Sequence, residues 1–298
     1  MISTDLNNAY QFCQQLAQSH YENFPVASKL LPKKLRQPIS VIYAFARTAD
    51  DFADEGDLNT QQRLTQLNHY SANLLAIDNH HYQGDEPIFI ALADVIQQHH
   101  LPISLFEDLL TAFKQDVHKP RYQHFNEVLD YCRYSANPVG RLLLFLNGKP
   151  CEQQLQQSDA ICTALQLINF YQDIEQDIRE QDRIYLPLEE LKQFGINEQQ
   201  LLQAETDPLA PLLRHQYQRA STIMQSGIEL GNSLNGRIGW EIRAMTLGGV
   251  TTLNKLIHQD DKQLLSRPRL SKQQLIMILM TSLSKRLYLR KARQLLAV

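Results

Sequence analysis

The chain has 298 residues, of which 43% are hydrophobic and 20% are charged, and its formal net charge is −3. This length suffices for a sizeable core and lies at the upper end of single-domain size, so we expect one domain over residues 1–298. Because the chain has no basic excess, its charge gives no reason to expect a nucleic-acid partner.

The cysteines and the first residues indicate the compartment. The four cysteines are scattered without a CxxC pair, which favours neither a zinc site nor a disulfide framework and fits a reducing cytoplasm. Residues 1–10 lack the basic start and apolar run of a signal peptide, and no run of about 18 apolar residues occurs. We therefore expect a cytoplasmic protein that does not span a membrane.

Helical signals dominate the chain, and no convincing alternating strand is predicted. The predicted helices of the first half are one capped by Ser3 or Thr4 that ends near Ser19, one over residues 39–54, one after Asn59 and Thr60 that ends near Ala76, and one over residues 103–117 opened by Pro102. In the second half, Ser158 is predicted to cap a long helix that reaches Ile178, and Asn197, Pro211 and Ser271 to begin further helices. Without a fixed repeat or a long linker, this pattern predicts an all-α bundle.

The helix over residues 39–54 carries a first acidic motif. Its polar members Tyr43, Arg47, Asp50 and Asp54 follow spacings of four, three and four, which places them on one stripe, and Asp51 is expected off it. Carboxylates one turn apart repel each other by about 0.2–0.5 kcal/mol per pair, so a neutralising cation is expected.

A second acidic motif lies on the predicted long helix. Gln166, Asn169, Asp173 and Asp177 follow spacings of three, four and four. Either motif alone is also typical of a solvated helix face, but two extended motifs together favour a shared oxygen-rich cavity. Such a cavity suits Mg²⁺, with Mn²⁺ as an alternative, and a diphosphate would complete the metal's shell. The metal and Arg47 would then stabilise a departing diphosphate as a carbon–oxygen bond breaks.

Three ordered motifs resemble one family. Residues 43–54 match the signature Y-A-x-x-R-x-x-D-D-x-x-D, residues 131–140 resemble Y-C-x-x-V-A-G-x-V-G, and residues 166–187 match a second acidic signature that ends in R-I-Y-L-P. On these motifs the chain resembles the squalene/phytoene synthase family over nearly its whole length. The resemblance implies an all-α isoprenoid synthase bundle with a central cavity.

The resemblance also implies roles for individual residues. The implied magnesium ligands are Asp50, Asp54, Asn169, Asp173 and Asp177. The implied diphosphate ligands are Arg47 and Arg267, and the implied catalytic residues are Tyr43, Arg47, Tyr131, Asp116 and Gln166. An aromatic face beside the reacting carbons can stabilise a carbocation, which is the role implied for the two tyrosines. For a buried tyrosine, ordinary packing is the alternative.

Within the family the chain is most similar to bacterial hydroxysqualene synthases, on residues 20–26, 49–57 and 135–141. It departs from relatives that condense two prenyl diphosphates, because Tyr21 and Asn23 replace the serines of a His-Ser-x-Ser-Phe element and Asn137-Pro138 interrupts the V-A-G segment. The resemblance thus implies that presqualene diphosphate ionises and that water captures the rearranged cation as hydroxysqualene. Asn23 or Asn137 is expected to position this water.

Two alternatives stay open. The first is a presqualene diphosphate, dehydrosqualene or phytoene synthase that condenses two prenyl diphosphates. The second is a catalytically silent, membrane-associated assembly factor on the same fold. No nicotinamide cofactor is expected, partly by subfamily resemblance, and the lack of GxGxxG adds only weak support. Functional coupling to other enzymes of the squalene route is a further expectation.

The carboxyl terminus has a basic amphipathic pattern. It combines Leu275, Leu279, Leu283 and Leu287 with Lys285, Arg286, Arg290, Lys291 and Arg293. This pattern is typical of a core helix with a favourably charged C-terminal end, which is the interpretation we favour. It also fits peripheral docking on the cytoplasmic face of a membrane.

Overall fold

A computed structural model describes residues 2–19, 32–202 and 206–297 of the chain. By its internal contacts the chain divides into two compact units. The first unit comprises Met1–His118 and Pro138–Pro150, and the second comprises Lys119–Asn137 and Cys151–Val298. The expectation of a single domain stays a prediction, and each unit is described below by itself.

The described residues form α-helices and one short 3-10 helix at Asp261–Gln263. The α-helices are α1 (Ile2–Ser19), α2 (Lys33–Asp54), α3 (Thr60–Asp78), α4 (Pro87–His99), α5 (Ser104–Asp116), α6 (Phe125–Ser135), α7 (Asn137–Asn147), α8 (Glu152–Gln172), α9 (Ile174–Gln181), α10 (Leu188–Gln193), α11 (Glu198–Leu202), α12 (Thr206–Gly227), α13 (Leu230–Ser233), α14 (Gly236–Ile257), α15 (Lys272–Leu283) and α16 (Lys285–Leu296). No strand occurs in these ranges, where Arg121 and Ile184 form an isolated bridge. The all-α prediction is confirmed.

Helix α2 lies at the centre of the first unit, where it packs against α1, α3, α4 and α5. Its Phe45 is fully buried, and the ring centroid lies 5.5 Å from that of Tyr70, 6.0 Å from that of Phe89 and 5.4 Å from that of Phe106. The contacts with Phe89 and Phe106 are edge-to-face, a geometry that stabilises the fold beyond the burial of the rings. This aromatic core fixes the rotation of α2, and with it the direction in which its polar stripe points.

Helices α8 and α14 organise the second unit. Helix α8 packs against α6, α12 and α14, while α14 also packs against α13, α15 and α16. Near the end of α8, the fully buried Tyr171 hydroxyl donates to Oε1 of Gln216 at 3.2 Å, and its ring lies 5.7 Å from that of Tyr217. These contacts to α12 hold the end of α8, where the second acidic motif begins.

Local capping signals place several helix starts correctly. The Asn59 side chain accepts from the backbone of Gln62 before α3, and the Ser271 side chain accepts from the backbone of Gln274 before α15. Asn197 caps α11 in the same way. These predicted starts are confirmed because the capping hydrogen bonds involve only neighbouring residues.

Other predicted starts are wrong. Helix α2 begins at Lys33 and passes through Pro38, and Pro211 lies inside α12. Apolar residues on both sides of each proline are buried, namely Leu35, Ile39, Leu209 and Leu212. Their packing offsets the backbone hydrogen bond that each proline removes.

The predicted long helix from Ser158 to Ile178 is also wrong in its bounds. Helix α8 begins at Glu152, where the Gln154 side chain accepts from the backbone of Cys151, and Ser158 is buried inside the helix. The helix ends at Gln172, and a separate helix, α9, follows Asp173. A one-residue break of this kind does not alter the spacing of the polar residues along the sequence, so the sequence pattern does not reveal it.

The carboxyl-terminal pattern forms two helices, because Ser284 separates α15 from α16 and caps the latter. The four leucines that suggested a core helix, Leu275, Leu279, Leu283 and Leu287, are 37–55% exposed. The core-helix interpretation is therefore wrong for these positions. In the described ranges, none of the helices has the length and apolar character that a bilayer crossing requires.

Candidate functional site in two acidic motifs

The two acidic motifs lie in different compact units, and each is described by itself. In the first unit, Arg47 of α2 is the centre of the motif. Its Nη1 lies 3.4 Å from Oδ2 of Asp50, and its Nη2 lies 2.7 Å from Oδ1 of Asp51 and also pairs with Glu55. Burial disfavours the charge of the Arg47 guanidinium, but the three carboxylates outweigh this effect and raise its pKa.

Of its two ion pairs within α2, Arg47 makes the shorter one with Asp51, which was expected off the polar stripe. Arg47 and Asp51 are four residues apart, so the spacing that identified the other pairs could also have identified this one. Glu55, directly after α2, is a further carboxylate that the sequence analysis missed.

The remaining predicted residues of the first unit lie on α2 and α5. Tyr43 is partly exposed one turn before Arg47, and burial raises the pKa of its hydroxyl although Arg47 opposes the shift. Asp54 is the last residue of α2 and is partly exposed. Asp116 is the last residue of α5, also partly exposed. The roles of these residues stay predictions.

The second motif bends at Asp173. This residue has φ −109° and ψ 14°, so it lies between α8 and α9 and belongs to neither. The backbone hydrogen bonds continue across the break, since Asp173 donates to the Asn169 carbonyl at 3.0 Å and Asp177 donates to the Asp173 carbonyl at 2.8 Å. The predicted straight line of polar residues is thus two short lines that meet at a buried aspartate.

Arg267 compensates the charge of Asp173. Its Nε lies 3.0 Å from Oδ1 of Asp173, and the arginine side chain is 49% exposed while that of the aspartate is 11% exposed. The loop that carries Arg267 is anchored directly after this residue, because Gln172 donates to the Pro268 carbonyl at 3.2 Å and Lys255 donates to the Arg269 carbonyl at 2.7 Å. The structure thus brings together Arg267 and Asp173, two residues that the sequence analysis assigned separately.

The charge of Asp177 is less well compensated. Burial and the neighbouring Asp173 raise the pKa of its carboxyl to about 7, although Arg183 and Arg267 oppose the shift. Burial also raises the pKa of Asp173, against the effect of Arg267. Two like charges held close together with little solvent favour either a bound proton or a bound cation.

Arg183 was not among the predicted site residues, although it lies in the R-I-Y-L-P segment. A left-handed turn at Asp182, with φ 52°, directs the chain back so that the Arg183 amide donates to the Asp177 carbonyl at 3.0 Å. The Arg183 side chain is buried. Arg121 holds the turn through an ion pair with Asp182 at 2.7 Å.

Tyr131 lies in an aromatic cluster of the second unit. Its ring centroid is 5.7 Å from that of Tyr122, 5.6 Å from that of Tyr185 and 6.0 Å from that of Phe170. The rings of Phe170 and Tyr185 stack at 3.7 Å. These two stacked rings also line a cavity of about 10 Å³ beside Asp177, which is room for one water molecule.

Gln166 and Asn169 lie on α8, where Gln166 is partly exposed and Asn169 is exposed. Asn137, which was expected to position a water molecule, is buried and accepts a hydrogen bond from the Thr163 hydroxyl at 3.0 Å. The other residue expected in that role, Asn23, lies outside the described residues, as does the whole segment over residues 20–26.

The donor set of the second motif fits a hard divalent cation that is completed by other ligands. Among the described residues, no group of three or more His, Cys, Asp or Glu side chains could hold a metal ion by itself. Asp173, Asp177 and Asn169 nevertheless offer two carboxylates and an exposed amide. The pKa of Asp177 is raised by burial and by the neighbouring Asp173, and a bound cation would favour the ionised carboxylate. Mg²⁺ is usually held by one or two carboxylates together with water and phosphate oxygens.

Comparison with known proteins supports the similarity inferred from the motifs. The family model described as squalene/phytoene synthase matches residues 17–274. Hydroxysqualene synthase from Rhodopseudomonas palustris is 37% identical over 224 residues, which cover 74% of each chain. Phytoene synthase from Mycobacterium tuberculosis is 29% identical over 238 residues, which cover 78% of this chain and 77% of the relative.

Among solved structures, the chain is similar to squalene synthase HpnC from Alicyclobacillus acidocaldarius. The TM-score is 0.79 at 33% identity, and the match covers 86% of this chain and 95% of that one. The chain therefore belongs to the squalene/phytoene synthase family of prenyl-diphosphate-processing enzymes.

Proposed function

We propose that this enzyme is a hydroxysqualene synthase that converts presqualene diphosphate and water into hydroxysqualene and diphosphate. The observation that carries this choice within the family is the 37% identity to a hydroxysqualene synthase over 74% of the chain. In the proposed reaction, the carbon–oxygen bond breaks and its electron pair leaves with the diphosphate. The cation then rearranges, and water adds to it and loses a proton.

We propose Mg²⁺ as the cofactor, held by Asp50 and Asp54 in the first motif and by Asn169, Asp173 and Asp177 in the second. When bound, Mg²⁺ supplies positive charge that stabilises the leaving diphosphate. The support from this chain is the carboxylate pair of the second motif, the buried Asp173 and the partly buried Asp177, in which the pKa of Asp177 is raised to about 7. Mn²⁺ is the proposed substitute.

Two arginines are proposed to bind the diphosphate. Arg47 forms ion pairs with Asp50, Asp51 and Glu55. Arg267 forms an ion pair with Asp173. Because half of the Arg267 side chain is exposed, its guanidinium is able to turn from Asp173 towards a diphosphate oxygen. Its planar group matches phosphate oxygens in a bidentate geometry.

The aromatic cluster around Tyr131 is proposed to protect the cation. The four rings of this cluster present apolar, electron-rich faces and are themselves almost fully buried. Faces of this kind stabilise positive charge without adding to it as nucleophiles. In this proposal Tyr131 contacts the reacting carbons, and Tyr122, Phe170 and Tyr185 hold its ring in position.

A phytoene-type reaction, in which two prenyl diphosphates condense, is the second candidate. It is supported by the similarity to the phytoene synthase from M. tuberculosis, which covers 78% of this chain. Hydroxysqualene formation is preferred because the chain is 29% identical to this phytoene synthase and 37% identical to the hydroxysqualene synthase from R. palustris. A catalytically silent assembly factor is a weaker third candidate, since both acidic motifs are intact.

Product analysis distinguishes these candidates. The purified protein is incubated with Mg²⁺ and presqualene diphosphate in the absence of a nicotinamide cofactor, and the lipid products are identified by mass spectrometry. We expect hydroxysqualene, and we expect none when a chelator replaces Mg²⁺. Consumption of farnesyl or geranylgeranyl diphosphate in parallel reactions would indicate a condensing synthase instead, and lack of turnover of every substrate would favour the silent factor.

Loss of one carboxylate from either motif should stop turnover. We expect Asp50→Ala and Asp173→Ala each to lower kcat by about 10²–10³-fold or more, because each removes charge that holds the cation at the leaving group. The matched control is Asp57→Ala, which removes an exposed carboxylate just beyond the first motif. A rate near that of the wild type in either test variant would contradict the assigned metal site.

The raised pKa of Asp177 predicts a pH-dependent stability. The folded chain holds this proton more tightly than the unfolded chain, so stability falls as pH rises from about 4 to 7 and then levels off. Asp177→Asn removes this penalty. Allowing for solvent screening, we expect the free energy of unfolding of the metal-free variant to exceed that of the wild type by about 1–2 kcal/mol at pH 8. Near pH 4 the two values should be equal.

Urea unfolding across this pH range, with and without Mg²⁺, measures the effect. Mg²⁺ should stabilise the wild type at pH 8 and should stabilise Asp177→Asn much less. Asp78→Asn, at an exposed position of α3, is the control and should follow the wild-type curve. A destabilised Asp177→Asn at pH 8, with a pH profile parallel to that of the wild type, would refute the charge penalty.

A further inference from the structure

Helix α15 exposes its apolar side chains. We define the α15 face as seven residues that are 37–62% exposed: Leu275, Ile276, Met277, Leu279, Met280, Leu283 and Leu287 at the start of α16. A surface helix normally directs such residues to the core. Contiguous exposed apolar surface of this kind usually marks an interaction site.

The orientation of α15 is fixed by its few polar contacts. Ser282 is fully buried, and its hydroxyl accepts a hydrogen bond from Nε1 of Trp240 at 2.7 Å. Nε of Arg243 donates to the Ser282 carbonyl at 2.6 Å. Together with the buried Ile278, these contacts fasten one side of the helix to α14. The α15 face is therefore held outward by α14.

The segment that carries the α15 face has charged residues of one sign only. Residues 262–298 contain nine of the chain's 29 lysines and arginines and none of its 32 aspartates and glutamates. Arg286 and Arg290 of α16 and Lys272 at the start of α15 are exposed. Residues 1–261 therefore contain 20 lysines and arginines against 32 aspartates and glutamates. The excess of positive charge lies in the segment that carries the α15 face.

We propose that the α15 face docks on an anionic lipid bilayer. Apolar side chains of an interfacial helix enter the boundary between headgroups and acyl chains, while nearby lysines and arginines bind anionic headgroups. A second copy of this chain fits less well, because pairing the faces would bring two cationic segments together. The docking surface does not depend on which product the enzyme releases.

Vesicle binding tests the proposal with the full-length protein. Co-sedimentation is measured with phosphatidylcholine vesicles that contain about one third phosphatidylglycerol, and with pure phosphatidylcholine vesicles. We expect binding to the anionic vesicles at low salt and weaker binding at high salt, because salt screens the attraction. Equal binding to both vesicle types at every salt concentration, or binding to neither, would overturn the proposal.

Two pairs of variants assign the binding to this surface. We expect Ile276→Gln with Met280→Gln, and separately Arg286→Glu with Arg290→Glu, to weaken binding to anionic vesicles at least about tenfold. The apolar control is Leu75→Gln, at a side chain of α3 that is 60% exposed, and the charge control is Lys33→Glu with Lys34→Glu at exposed positions of α2. Both controls should bind as the wild type does.

The same variants separate this proposal from the rival occupant and from the proposed reaction. If the wild type is a dimer in light scattering and the α15 variants are monomers with unchanged vesicle binding, the face belongs to a second copy and the proposal fails. Turnover of presqualene diphosphate in detergent should be the same in these variants as in the wild type, so a failure of docking is distinct from a failure of the proposed function.

Discussion

The loss of solvent around two neighbouring carboxyl groups, Asp173 and Asp177, is the constraint on which the proposed chemistry depends. Burial raises the pKa of both carboxyls, and the neighbouring Asp173 raises that of Asp177 further. A fold that served stability alone would not retain this pair, since a neutral side chain would remove the penalty. Arg267 and Arg183 compensate part of the charge. The remaining negative charge suits a divalent cation and its phosphate ligands.

The loop that carries Arg267 links the two aspartates to α8 and α14 of the second unit. Gln172 fixes the loop at the end of α8, and Lys255 fixes it at the end of α14. Helix α15 follows within five residues and turns its apolar side outward. The proposed lipid-binding surface and the proposed diphosphate ligand are therefore close in sequence and share α14 as a support. An enzyme whose substrate and product are both lipids would benefit from this arrangement.

Local chemistry made part of this structure predictable. The helices that follow Asn59, Asn197 and Ser271 could be located because their caps involve only neighbouring residues. The predicted starts at residue 39 and at Pro211 are wrong, since the packing of buried apolar residues on both sides of Pro38 and Pro211 decides that the helix passes through each proline. The metal-ligand candidates follow from spacing, but the break at Asp173, the pairing of Arg267 and the turn that brings Arg183 to Asp177 depend on contacts distant in sequence.

The most direct test is whether Arg267 and a divalent cation compete for the same carboxylate. Mn²⁺ binding to the ligand-free protein is measured by electron paramagnetic resonance in the wild type and in Arg267→Gln. Because the substitution removes a positive charge 3.0 Å from Asp173, the account predicts saturable binding in both proteins and tighter binding in the variant. Weaker Mn²⁺ binding in Arg267→Gln, or no saturable binding in either protein, would contradict it.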